Sequence, residues 1–129
     1  MNLKTSRRAK NAKEKFKMIK KETCKVRLVQ KEIELVLVKF NQNVLSDEVL
    51  TYLKLENLTP GRFEHLVAFS LSDPYLDADL TPGSIISLGS IYFDSKGTRE
   101  CPCLLGGTFD HRKYDDLWED YWTFLAVCQ

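Results

Sequence analysis

The sequence has no apolar run long enough to cross a bilayer. Its best candidate, Ile33–Phe40, is broken by Glu34 and Lys39, where a span needs roughly 20 predominantly apolar residues. Histidine is scarce: only His65 and His111 are present. Neither sits in a recognisable motif, so a nucleophilic cysteine has no evident basic partner. The one glycine pair, in "LLGGTFD", offers no lysine after its glycines, which excludes a phosphate-cradling loop. Cys101 and Cys103 form a Cys-x-Cys, not the Cys-x-x-Cys knuckle. With His111 and Cys128 they supply the ligand types zinc prefers without its spacing. Pro102 between them points to a strand edge or a bulge. No metal or other cofactor is expected, and the thiols read as structural. No apolar leader with a small-residue cleavage site follows the basic start, so a soluble, intracellular, cytoplasmic protein with reduced thiols is expected. No repeat of useful period occurs, since "LTPG" at Leu58 and Leu80 is too short to imply duplication.

Positive charge is abundant, and it is segregated. Residues 1–25 hold Lys4, Arg7, Arg8, Lys10, Lys13, Lys15, Lys17, Lys20, Lys21 and Lys25 against Glu14 and Glu22, a charge of +8. The whole chain carries +1, which leaves −7 for residues 26–129. At 129 residues, with 43% hydrophobic content and seven Phe, five Tyr and two Trp, the chain can bury a core as one domain. The expected organisation is a single domain over 1–129: a basic N-terminal helix or arm (1–25) and an acidic globular body (26–129).

Periodicity predicts a helix over 5–22, with Ala9, Ala12, Phe16 and Ile19 on one narrow stripe. Like charges crowd the rest of its surface, so it needs the protein body or a partner to hold it. "KVRLVQKEIELVLVKF" (25–40) is dense in Val and Ile and alternates with charge, which favours one or two strands. Val26, Val29, Ile33, Val36, Leu37 and Phe40 also fit a helical stripe. Ser46 reads as a helix N-cap with Asp47 and Glu48 in the first turn. Thr59 caps a second helix with Pro60 at its first position. "SDPYLDADLTPGS" reads as a loop. "SIISLGSIYF" and "TRECPCLLGG" flank the turn "DSKG" as a hairpin. After an acidic loop, "YWTFLAVCQ" ends the chain as a strand. Trp122, Phe124, Ala126 and Cys128 share one of its faces and Tyr121, Thr123, Leu125 and Val127 the other. Both faces are largely apolar, so it should be interior. The fold class is α+β: a basic N-terminal helix, one or two strands, a helical pair, then an antiparallel sheet ending at the C-terminus.

Each candidate site has a bland counterpart. Dense Lys and Arg is the footprint of a phosphate-binding surface, or of a helix docked on the protein's own acids. A membrane surface is disfavoured because the apolar face is narrow and lacks Trp or Leu at its centre. "DEVLTYLKLENLTPGRFEHLV" has the outline of a helix-turn-helix, with Asn57 in the turn and Arg62 and His65 outward; the alternative is two ordinary helices packed on a sheet. Asp77 and Asp79 form an Asp-x-Asp that a turn-rich loop would simply solvate. Asp115, Asp116, Trp118, Glu119 and Asp120 could receive a basic protein partner. Alternatively, Trp118 and Trp122 cover the core while the acids face water. With no catalytic constellation, the sequence points to a non-enzymatic binding or accessory protein. Its basic helix would contact nucleic acid, DNA or RNA, through Arg7, Arg8, Lys10, Lys13, Lys17 and Lys20 within a larger assembly. The rival is a protein-directed inhibitor or structural subunit that uses the acidic aromatic face; the basic helix could also meet an acidic protein surface.

Overall fold

The structure, a computed structural model, describes residues 19–72 and 83–128. The positions named above at Arg7, Arg8, Lys10, Lys13, Lys17, Asp77 and Asp79 lie outside these residues, as does the expected helix up to residue 18. Its last turn is corrected: Lys20–Glu22 open a strand, β1 (Lys20–Leu28). Glu22, Cys24, Val26 and Leu28 alternate there with exposed residues, and tertiary pairing overrides the helical stripe. Residue 25, where charge divides the chain, lies inside this strand.

β1 forms a hairpin with β2 (Lys31–Lys39), in register from Lys20↔Lys39 to Leu28↔Lys31. The strand reading of 25–40 is the one adopted. The two-residue turn is Val29–Gln30, with φ of 49° and 63°. Helix α1 (Ser46–Leu55) follows, then β3 (Leu58–Pro60), helix α2 (Phe63–Ser72), β4 (Ser84–Ile86), β5 (Tyr92–Phe93), β6 (Arg99–Leu105), β7 (Thr108–Lys113) and β8 (Thr123–Cys128). β2 lies along one side of β8. The other side of β8 is shared by β3, antiparallel, and β4, parallel. β6 then pairs β4 and β5 on one side and β7 along the other. The last strand is interior, as its two apolar faces require. The sheet is mixed, not purely antiparallel: the chain leaves β7, crosses back over one face through 114–122, and enters β8 in the direction of β4.

Side-chain alternation builds two cores. Val36, Val38, Phe124 and Ala126 face α1 through Val49, Tyr52 and Leu53, with Trp118 and Trp122 closing that layer. Leu35, Leu37, Leu125, Ile85 and Leu104 face α2 through Leu66, Ala68 and Phe69. The helices therefore cover opposite faces of one sheet, and the helix-turn-helix outline does not form. Asn57 does end α1, at φ 57°, but Leu58 then joins β8 opposite Cys128. Thr59 and Pro60 are strand residues, not the cap and first turn of a helix. The chain changes faces where Gly61 and Gly89 meet. A Cβ on Gly89 would lie 2.6 Å from the carbonyl oxygens of both Pro60 and Gly61, and one on Gly61 2.9 Å from that of Leu125. Only glycine lets these backbones approach so closely.

Candidate binding surface

The α1 face is locked by a polar relay. Ser46 is not the N-cap; Leu45 takes that position, and the Glu48 carboxylate accepts its N–H at 3.0 Å. The buried Ser46 hydroxyl instead donates to the Tyr114 carbonyl at 2.6 Å and accepts from Trp118 Nε1 at 2.8 Å. Val44 and Trp118 exchange backbone hydrogen bonds of 2.9 and 2.8 Å. Trp118, only 2% exposed, thus belongs to the core and offers no face to a partner. Of its acidic neighbours, Asp115 is ion-paired with Arg99, whose guanidinium also sits 4.5 Å from the Tyr114 ring centre. Glu119 accepts the Trp122 indole N–H at 3.1 Å. Asp116 and Asp120 face water, beside the exposed Leu117 and Tyr121.

His65 does not face outward either. It is 7% exposed, and its Nδ1 accepts the Arg62 N–H at 2.9 Å, while Ser90 Oγ accepts the Phe63 N–H at 2.8 Å. These two side chains cap α2 in place of Thr59. Burial, and then the Arg62 guanidinium, push His65 below the ordinary imidazole value. Cys101 and Cys103 share one face of β6 and are buried. Burial, with Cys103 beside it, pushes the Cys101 thiol up to about 12, and burial pushes Cys103 up to about 11. His111 pairs across from Pro102, so it projects to the opposite face from both thiols. Among the described residues, no three His, Cys, Asp or Glu side chains converge where a metal could sit. No described helix is long and apolar enough to cross a membrane.

The two sheet edges differ in chemistry. In two-residue hairpins the pair flanking the turn is hydrogen-bonded, and the alternate residues turn their backbone groups outward. On β7, where Gly106–Gly107 makes the turn, this leaves His111 outward at mid-strand. Its N–H donates to Asp110 Oδ1 at 2.8 Å, and its carbonyl accepts from the Arg112 guanidinium at 2.8 Å. Asp110 and Arg112 in turn pair at 3.2 Å. The His111 N–H, and then Arg112, hold the Asp110 carboxyl below its ordinary value. Side chains seal this edge against a further strand.

Among the described residues, none seals β1 in this way. Lys21, Thr23, Lys25 and Arg27 are its outward residues, and no described residue bonds their outward N–H or C=O groups. Lys20, which the sequence places in the basic surface, is exposed at the start of this edge. On the α1 face, Lys21 reaches Glu56 at 3.5 Å and lies 5.4 Å from the Tyr52 ring centre. Lys25 reaches Glu32 at 3.7 Å. On the α2 face, an open apolar groove of about 340 Å³ runs beside the strand end, lined by Arg27, Leu28, Val29, Phe63, Glu64, Val67, Ala68 and Leu71. Val29 is 90% exposed and Leu71 81%. A β-branched residue at positive φ costs about 1–2 kcal/mol, and at Val29 the described fold returns no packing for it. A larger groove, about 540 Å³, lies between α1 and β3 with Lys54 as its charged group. The exposed edge, its groove and the sealed opposite edge were not readable from sequence; only the Gly106–Gly107 turn signals the β7 hairpin. No family model matches the chain, and no curated protein or solved structure matches it.

Proposed function

We propose that the protein is a non-enzymatic, intracellular binding or accessory protein whose basic N-terminal segment contacts nucleic acid through the phosphate backbone. The observation that carries this reading is the +8 charge of residues 1–25, which leads into a strand at the sheet edge rather than between its layers. Lys20, exposed at the head of that strand, is reachable by a polymer. Arg7, Arg8, Lys10, Lys13, Lys17 and Lys20 are the contacts. Six phosphate contacts give a slope of log affinity against log salt of about −5 on duplex DNA, with little dependence on sequence. Fluorescence anisotropy with labelled single-stranded and duplex DNA and RNA over a salt series tests it. Reversing Arg7, Lys10 and Lys17 to Glu should weaken binding and flatten the slope by about 3, while leaving the unfolding midpoint unchanged. Absence of binding to every one of these polymers at low salt refutes the reading. The rival acidic-face reading has less to support it, because Trp118 is inside and Asp115 is engaged by Arg99.

A further inference from the structure

We propose that the open edge of β1 is a strand-addition site for an extended peptide in which acidic and apolar residues alternate. This goes beyond the nucleic-acid reading and does not depend on it, since it uses backbone groups and the α2-face groove. The outward N–H and C=O groups of Lys21, Thr23, Lys25 and Arg27 form a ready template for one more strand. The β7 edge is closed by Asp110 and Arg112 on His111, and β3 and β5 are only three and two residues long, so among the described residues β1 is the long edge left for addition.

Alternation of side chains then fixes the ligand's chemistry. On the α1 face, β2 presents Glu32 and Glu34, and β1 presents Arg27 and Lys25 directly across from them. A third strand continues this acid–base ladder if it places acids beside Lys25 and Arg27; lysines there would be repelled. On the α2 face, the added strand's side chains fall beside Val26 and Leu28 and enter the groove walled by Phe63, Val67 and Leu71. Apolar side chains fit there. Val29, held at positive φ and exposed at the groove's end, gains its missing contacts from them. Charge selects the sign of the ligand, while backbone bonds and the groove hold it.

The test uses the full chain and a short fluorescein-labelled peptide of alternating aspartate and valine, read by anisotropy. Saturable binding is expected. In an added strand only every second amide faces β1. Antiparallel addition puts the aspartate amides in the ladder and parallel addition the valine amides. N-methylating one set must therefore weaken binding by about tenfold or more, while the other set leaves it unchanged, and the sensitive set reveals the direction. Thr23→Pro removes one outward donor without touching the β2 ladder, a placement edge strands accept, and should weaken binding. Lys25→Gln with Arg27→Gln, which removes the charge without setting acid opposite Glu34 and Glu32, should do the same. Equal effects of both methylation sets would show attraction by charge alone and overturn the proposal. So would a peptide that fails to bind at all, or an oligonucleotide that binds the edge where the peptide does not. If Thr23→Pro fails to fold, the two methylated peptides on the wild-type protein still decide the question.

Discussion

Replacing Ser46 with alanine removes one hydroxyl and disturbs two buried partners. Trp118 Nε1–H loses its acceptor at 2.8 Å, and the Tyr114 carbonyl loses its donor at 2.6 Å. Trp118 is 2% and Ser46 4% exposed, so water cannot replace the hydroxyl without opening the layer. An unsatisfied buried donor costs about 1–3 kcal/mol, and the lost bond to the carbonyl adds about 1 kcal/mol. Against this, alanine in the first turn gains at most about 0.5 kcal/mol of helix propensity. The net expectation is a loss of about 2–3 kcal/mol, a large part of a stability of about 5–15 kcal/mol. That should lower the melting midpoint by about 10 °C. Urea unfolding followed by tryptophan emission measures it directly, because the chain holds only Trp118 and Trp122. Ser70→Ala is the control: its hydroxyl bonds the Val67 carbonyl in water, and the change should stay within about 0.5 kcal/mol. In a Trp118→Phe background the indole N–H is gone, so Ser46→Ala should cost about 1–2 kcal/mol less. A Ser46→Ala protein as stable as the Ser70→Ala control would sink the argument that this relay anchors the crossover.

Val29→Asn with Gln30→Gly should stabilise the protein by about 1 kcal/mol in urea unfolding, because the turn needs positive φ at both positions and these residues supply it at little cost. His65 is neutral where it caps α2, and its folded value lies below the unfolded one. The unfolded chain therefore binds more protons between the two values, and stability present above about pH 6.5 should be lost as pH falls through the folded value. His65→Gln should remove that pH dependence. Thiol titration of the native protein near pH 8 should modify Cys128, exposed, rapidly, while Cys101 and Cys103, pushed to about 12 and about 11, react only on unfolding. Deleting residues 122–129 should abolish the cooperative transition in calorimetry, because β8 carries the pairing of β2, β3 and β4.

What the sequence revealed follows local period, and what it hid follows long-range pairing. β8 was legible because both of its faces are apolar, which only an interior strand requires. The hairpin about Asp94–Gly97 was legible from its turn. β3 was not, because Thr59 and Pro60 read as a helix start and only Cys128, Val127 and Ala126 make them a strand. β7 falls within what the sequence presents as an acidic loop: it is an edge strand with no buried side chain, so no apolar alternation marks it. The Val29–Gln30 turn left no signal, since neither residue favours positive φ. The relay through Ser46 joins positions far apart in sequence, beyond any window of pattern reading. The pattern around Trp118 fits surface and core alike, and the hydroxyl that decides between them lies on α1.

The two halves of the molecule carry different burdens. The last strand in sequence is the central one in space, so α1, β3, β4 and the 114–122 crossover all depend on β8. β1 stands outside this arrangement: among the described residues it pairs only with β2, and it faces α2 through Cys24, Val26 and Leu28. Its charged side chains Lys20, Lys25 and Arg27 are exposed. Lys25 and Arg27 stand opposite Glu34 and Glu32, so reversing them to Glu costs about 0.2–1 kcal/mol per cross-strand pair. Their neutral replacement by Gln reports on recognition with less effect on the fold, whereas changes at Ser46 or Trp118 report on the fold itself. The edge proposed to receive a peptide is thus separate from β8, the strand on which the core pairing depends.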